Sequence, residues 1–308
     1  LVIGLLVGGL AALTGVVVRG PDPGTTWADA RTYRCEFGGA AMDVAVDRGD
    51  LALVDSEILA WVGTAARSVT AYYGRFPVKE VSIAIHRVDG DHVGSGVTGR
   101  TGISVDLGSR ATRDALAADW VLTHEMIHLA FPEAARKHHW IEEGIPTYVE
   151  PLARLRAGQL TPEKVWGDLV RDLQQGLPRE GDLGLDETHT WARTYWGGAI
   201  FCILADVAIH EQTGNRRGLD DALRGILDEG GSIRVHWEIV RALEAGDRAT
   251  GVPVLAKLYD SMKASPVSPD LDGLFRDLGV RVQGRDVTFD ETAPRASVRR
   301  AIEGRRER

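Results

Sequence analysis

Cysteine is almost missing from this 308-residue chain, with Cys35 and Cys202 the only two. Two thiols exclude a disulfide framework, leaving room for one bridge at most. Cys202 lies in the apolar run Ala199-Ile200-Phe201-Cys202-Ile203-Leu204, where a small core residue is expected rather than a reactive thiol. A basic excess is missing as well. Lys and Arg number 36 against 44 Asp and Glu, for a net charge of −8, which argues against broad nucleic-acid binding. No internal repeat stands out. A hydrophobic fraction of 44% with 26% charged residues is ordinary for a soluble globular protein, and the length suffices for one large domain or two lobes.

Charge is absent from Leu1 to Val18, where Thr14 is the one hydroxyl. Eighteen helical residues span roughly 27 Å, enough for the hydrocarbon core of a bilayer. Residues 1–20 are expected to be a membrane anchor or a signal segment, with the anchor favoured. Gly4 and Gly8 add a weak helix-pairing signal, and Ala28-Asp29-Ala30 resembles a cleavage site but lies far past the apolar run. Either reading makes the protein membrane-anchored or secreted, and Arg19 alone is too little to set the orientation. Gly20 to Thr26, rich in Gly and Pro, breaks the first segment, so residues 21–30 read as a linker.

Apolar spacing predicts an amphipathic helix over Asp50 to Tyr73, a strand within Val78 to His86, and a second strand at Gly102 to Leu107. A helix carrying the motif below is expected from Ala111 to Phe131, with Leu116 and Trp120 on one stripe with His124 and His128, and Pro132 stopping it. Beyond it the chain reads as mostly helical, over 140–155, 161–175, 190–213, 219–228 and 252–263, with shorter candidates at 270–278 and 295–303. The expected class is α+β, mainly helical, with an α+β lobe over 31–135 and a helical lobe over 136–308.

The decisive feature is His124-Glu125-Met126-Ile127-His128. A helical period puts the two imidazoles on one face, one turn apart, as a zinc ion requires. Glu125 points about 100° away, free to handle the proton of a reacting water. A catalytic zinc takes a third protein ligand and keeps one position open. Trp140-Ile141-Glu142-Glu143-Gly144, just past the turn at Pro132 to Lys137, offers Glu142 and Glu143, of which one is expected to bind. Glu150 lies about two turns after Glu143 and is a candidate to orient a ligating imidazole, or else a solvated acid. His138, His139 and His189 read as surface or rim residues.

His124-Glu125-x-x-His128, followed by Trp140-x-x-Glu143-Gly144 and Tyr148-x-Glu150, closely resembles the gluzincin metallopeptidases. The resemblance implies a thermolysin-like two-lobe fold, a Zn2+ cofactor, Glu143 as third ligand and Glu125 as general base. Tyr195-Trp196-Gly197-Gly198-Ala199 resembles the segment that supplies a catalytic tyrosine in aminopeptidase-type members, which implies Tyr195 as oxyanion donor. A core tyrosine is the alternative, since Trp191, Trp196 and Phe201 surround it at helical spacing. Leu204-Ala205-Asp206, Gly214, Leu219 to Leu223 and the stretch from Thr288 to Ala301 are similar to the glycyl-aminopeptidase branch. The resemblance covers roughly residues 110 to 303 with gaps.

One departure bears on specificity. Aminopeptidase members carry a Glu on a Gly-rich strand ahead of the zinc helix, which holds the substrate's free amine. Gly99 to Asp106 has no Glu, and Asp106 is a shorter substitute. The expectation is therefore a zinc metallopeptidase acting on a peptide or protein substrate, with endopeptidase and aminopeptidase specificity both open. The rival from another class is a zinc-stabilised binding module without catalysis.

Overall fold

The computed structural model describes residues 29–304, so the expected anchor, and all but the end of the expected linker, lie outside the described residues. Among the described residues no helix is long and apolar enough to cross a membrane. The chain opens with two strands, β1 (Ala30–Phe37) and β2 (Ala40–Asp47), followed by helix α1 (Asp55–Tyr73) and strands β3 (Glu80–Val88), β4 (Val93–Gly99) and β5 (Gly102–Gly108). They form one mixed sheet in the order β1-β2-β3-β5-β4, antiparallel at both ends and parallel in the middle. Period-2 alternation turns Val81, Ile83 and Ile85 of β3 and Ile103, Val105 and Leu107 of β5 into the core, where they join Ile58, Val62 and Val69 of α1. β4 closes one edge, with Val97 67% exposed.

Two elements replace the long motif helix expected over 111–131. α2 (Arg113–Ala118) ends at Asp119, which is extended, and α3 (Val121–His128) starts afresh. Asp119 causes the break, its carboxylate accepting from the backbone N–H of Val121 at 2.9 Å and of Leu122 at 3.2 Å. This is an N-terminal capping arrangement that satisfies donors a continuous helix would have used internally. The expected stripe is broken too: Leu116 is buried, whereas Trp120 is 53% exposed.

The rest is mostly helical: α4 (His139–Arg156), α5 (Pro162–Asp172), α6 (Gly198–Thr213), α7 (Leu219–Asp228), α8 (Ile239–Thr250), α9 (Val254–Met262), α10 (Leu271–Asp277) and, after a small hairpin of β6 (Val280–Gln283) and β7 (Asp286–Phe289), α11 (Ala296–Ile302). β1, β2, β4, α8 and the hairpin were not expected. β4 reads Val-Gly-Ser-Gly-Val-Thr-Gly, too rich in glycine to carry a strand signal, and exists because β5 pairs with it. The helix expected to begin at 190 starts at Trp191 and takes a π-type turn over Arg193–Gly197, which carries Tyr195.

Helices α4 and α6 meet backbone to backbone. A Cβ built on Gly144 would collide with the backbone of Gly198, and one built on Gly198 would collide with the carbonyl oxygen of Trp140 and with Gly144. The glycine that follows Glu143 is thus a packing requirement. Gly144→Ala and Gly198→Ala should each cost about 1–3 kcal/mol or more, the range for forcing a methyl into a closed contact. Gly99→Ala, with nothing near its Cβ position, should change stability far less. Denaturant midpoints check this, and equal effects at the three sites would rule out the close contact.

Candidate metal centre

Three side chains converge between α3 and α4. The His124 and His128 rings, one turn apart, have centroids 5.1 Å apart. Glu143 Oε2 lies 3.3 Å from His124 Nε2 and 3.5 Å from His128 Nε2. One ligand atom from each of the three lies within 4.8 Å of the others. Two imidazole nitrogens and one carboxylate oxygen are the donor set of a catalytic zinc with a position left open. The residues present therefore fit the ion. Burial raises the Glu143 carboxyl, but hydrogen bonding and charge from both imidazoles outweigh it and hold the carboxyl well below the usual carboxylate range. Burial lowers His124; on His128 the surrounding carboxylates overcome burial and raise it.

The two candidate third ligands separate cleanly. Glu142, one residue earlier, turns away, its Oε1 accepting from Ala134 N at 2.7 Å while its Oε2 sits 3.1 Å from His139 Nδ1. The other nitrogen of His139 lies 3.4 Å from Glu143 Oε1. His139 is a rim residue, half exposed, and it steadies the ligand carboxylate from outside. The i,i+4 spacing from His139 to Glu143 was the available signal. His138, expected at the surface, is instead buried. Its Nδ1 meets Asp186 Oδ1 at 3.0 Å, and Asp186 also accepts from Trp140 Nε1 at 2.7 Å and from the Tyr259 hydroxyl at 3.2 Å. This hub fixes the start of α4, and nothing in the local sequence around Asp186 announces it.

Glu125 is buried and faces β4. The Thr98 hydroxyl lies 2.6 Å from Glu125 Oε2 and 2.8 Å from its backbone carbonyl oxygen, with one proton to donate between them. Gly96 lets the strand come this close, because a Cβ there would stand 2.6 Å from Glu125 Cγ. Sequence reasoning missed Thr98, which is remote in the chain and sits in an unrecognised strand. The Tyr195 ring lies nearly parallel to His124, 6.3 Å between centroids and 22° between planes, and stacks on Trp191 at 5.5 Å. Burial first, then the charges of Glu143 and Glu125, push its hydroxyl up to about 12, so it is a proton donor at neutral pH.

Glu150 is buried two turns along α4, where its Oε1 accepts from Arg154 Nη1 at 3.0 Å rather than from an imidazole. Burial raises it to about 7 against the opposing Arg154 charge. Asp106, the short substitute for an amine-holding Glu, accepts from Ser95 Oγ at 2.8 Å and does not line the cleft. That cleft, about 520 Å³, opens beside the cluster and is lined by Glu125, His128, His139, Glu142, Glu143 and Tyr195, among others.

Replacing Glu143 by Ala should strip zinc or weaken its binding at least tenfold, whereas Glu142→Ala should keep the metal and lose some stability through the orphaned Ala134 N–H. Zinc stoichiometry of the two purified variants decides, and the reverse pattern would move the third ligand by one residue.

No family model matches the chain, and no curated protein matches it. Solved structures do. An aminopeptidase N family protein from Idiomarina loihiensis superposes with a TM-score of 0.64 at 15% identity, over 83% of this chain and 50% of that one. A two-domain M1 zinc metallopeptidase mutant bound to L-arginine gives 0.50 at 18% identity, over 79% and 53%. An M1 zinc metallopeptidase from Deinococcus radiodurans gives 0.49 at 15% identity, over 78% and 53%. The chain spans about half the length of these solved chains. The N-terminal mixed sheet and helical body give this chain the fold of a thermolysin-like two-lobe metallopeptidase, with a His-His-Glu cluster between α3 and α4 that could hold a metal ion.

Proposed function

We propose that the protein is a zinc-dependent peptidase, with zinc held by His124, His128 and Glu143. The observation that carries this reading is the carboxylate of Glu125, which stands outside the ligand cluster. It is buried beside the ligand cluster, on the wall of an open cleft, and restrained by Thr98. A purely structural zinc would be closed by four protein ligands and would have no use for such a group.

Zinc bound there supplies Lewis acidity, polarising the scissile carbonyl and acidifying water enough for attack near neutral pH. Glu125 accepts the proton of the attacking water and returns it to the leaving amine. Tyr195 donates its hydroxyl hydrogen to the developing oxyanion. The edge of β4, unpaired among the described residues, runs along the cleft at Gly96 to Thr98 and offers backbone donors and acceptors to an extended peptide.

The geometry favours internal cleavage over amine-anchored trimming. Glu133 and Glu142, the lining carboxylates besides Glu125 and Glu143, already have partners in Arg100 and in Ala134 N with His139. The apolar, uncharged residues 1–18 support a membrane-anchored or secreted enzyme.

Glu125→Gln should keep zinc and lower kcat by about 10²- to 10⁴-fold on a peptide library digest. Full activity with metal bound would end the catalytic assignment. Tyr195→Phe should slow turnover about 10²- to 10³-fold without changing zinc content, and an unchanged rate would return Tyr195 to a packing role. A peptide and its N-acetylated form should be cut at similar rates; loss of cleavage on acetylation would establish an aminopeptidase.

A further inference from the structure

Each carboxylate in the wall of the cleft has a partner, whereas one cation there has none among the described residues. Glu125 accepts from Thr98, Glu143 meets His124 and His128, and Glu142 takes Ala134 N and His139. Glu133 accepts from Arg100 Nε at 2.7 Å. Arg136 lines the same cleft and is exposed, yet its guanidinium makes no hydrogen bond and no ion pair among the described residues. A guanidinium keeps its charge at any pH near neutral, so Arg136 stands in the wall as a fixed cation with a planar fork of N–H donors.

The backbone that carries Arg136 is braced on both sides. Before it, Glu133 N donates to Val235 O at 3.0 Å, Trp237 N donates to Glu133 O at 2.9 Å, and Ala134 N donates to Glu142 Oε1 at 2.7 Å. After it, buried His138 meets Asp186 at 3.0 Å. Arg136 opens the short turn Arg136–His138 between these anchors. The root of its side chain is therefore fixed, while the charged head is left without a tether. Lys137, the next residue, is not part of the cleft wall. A peptide with its scissile carbonyl at the His124–His128–Glu143 cluster fills the cleft beside Glu125 and Tyr195, and its neighbouring residues pass Arg136.

We infer that Arg136 selects substrates that carry a carboxylate near the cleaved bond, supplied by an Asp or Glu side chain or by the peptide's own C-terminus. This rests on the peptidase reading above. The planar fork matches a carboxylate through two parallel N–H···O bonds, and the attraction strengthens as the substrate covers the cleft and excludes water. Glu133 and Glu142 share the wall with Arg136, and because each is held by its own donors, neither closes on the guanidinium and cancels its charge.

Two sets of peptides, all with free N-termini, test this with the zinc-loaded chain. One set exchanges Glu for Gln at each position across the cut, with the C-terminus amidated. The other compares the free C-terminal acid with its amide in peptides shortened residue by residue towards the cut. The readout is the ratio of kcat/KM for the charged over the neutral member, which a general loss of activity leaves unmoved. Wild type should favour the charged member about five- to tenfold in at least one set, and the set that responds identifies the source of the carboxylate. The ratio should fall towards one in Arg136→Ala, persist in part in Arg136→Lys, which keeps the charge and loses the fork, and stay at the wild-type value in Lys137→Ala. Circular dichroism and zinc content confirm that each variant is folded and loaded. Wild-type ratios near one in both sets, or a ratio unchanged in Arg136→Ala, overturn the assignment. An equal fall in Lys137→Ala also overturns it, because the preference would then come from the general field and not from this side chain. If wild type cuts none of the peptides, the peptidase reading fails, and binding of the same peptides, fluorescently labelled, judges Arg136 alone. Tighter binding of the charged members, lost in Arg136→Ala, supports the assignment; equal binding, or none, sinks it.

Discussion

The backbone contact between Gly144 and Gly198 sets the geometry of the whole centre. One glycine directly follows Glu143, and the other lies three residues after Tyr195. Because neither residue has a side chain, the two helices approach until their main chains touch, and the spacing between the ligand carboxylate and the tyrosine is then fixed by backbone rather than by flexible side chains. A methyl group at either site would push α4 from α6 and loosen both groups at once. The π-type turn over Arg193–Gly197 belongs to the same constraint. It adjusts the helical phase just before the contact and carries Tyr195 onto the His124 ring.

Around that contact, buried polar groups are tied down in pairs. Asp186 grips Trp140 at the start of α4, and Asp206 on α6 accepts from the Tyr148 hydroxyl at 2.9 Å and from Leu219 N at 2.7 Å. The conspicuous aromatic positions of the Trp-x-x-Glu-Gly-x-x-x-Tyr pattern thus act as anchors of the helix that presents the carboxylate, and neither belongs to the ligand cluster. Two buried carboxylates, each with hydrogen-bond partners, hold α4 in place at both ends of its ligand turn, where an unpaired one would cost several kcal/mol.

The electrostatics of the centre suit a cation. Glu125 and Glu143 are both buried, and two imidazoles face the same small volume. Thr98 hydrogen-bonds Glu125, and His139 Nε2 lies 3.4 Å from Glu143 Oε1. A divalent ion held by His124, His128 and Glu143 would supply positive charge between the two carboxylates. Burial that would be a liability in an empty cluster becomes affinity once the ion is bound.

Local periodicity determined a good part of this protein from sequence alone: two imidazoles one turn apart, a carboxylate between them, a mainly helical second half, and an alternating strand at Val81 to Ile85. Those features depend on neighbours within a few residues, so the chain spells them out. The choice between Glu142 and Glu143 did not follow from spacing, because both lie on one turn and only the Ala134 N–H and the two imidazoles, brought in from elsewhere, give them different partners. β4 and its Thr98 were invisible for the same reason: a glycine-rich segment becomes a strand only when β5 pairs with it, and its threonine finds Glu125 across 27 positions of chain. The break at Asp119, the Asp186 hub and the turning-out of Trp120 are likewise settled by long-range packing and capping, which outweigh the local helical preference. Sequence named the donor atoms; tertiary contact decided which of them meet, because ligand geometry is a property of distances that no local pattern contains.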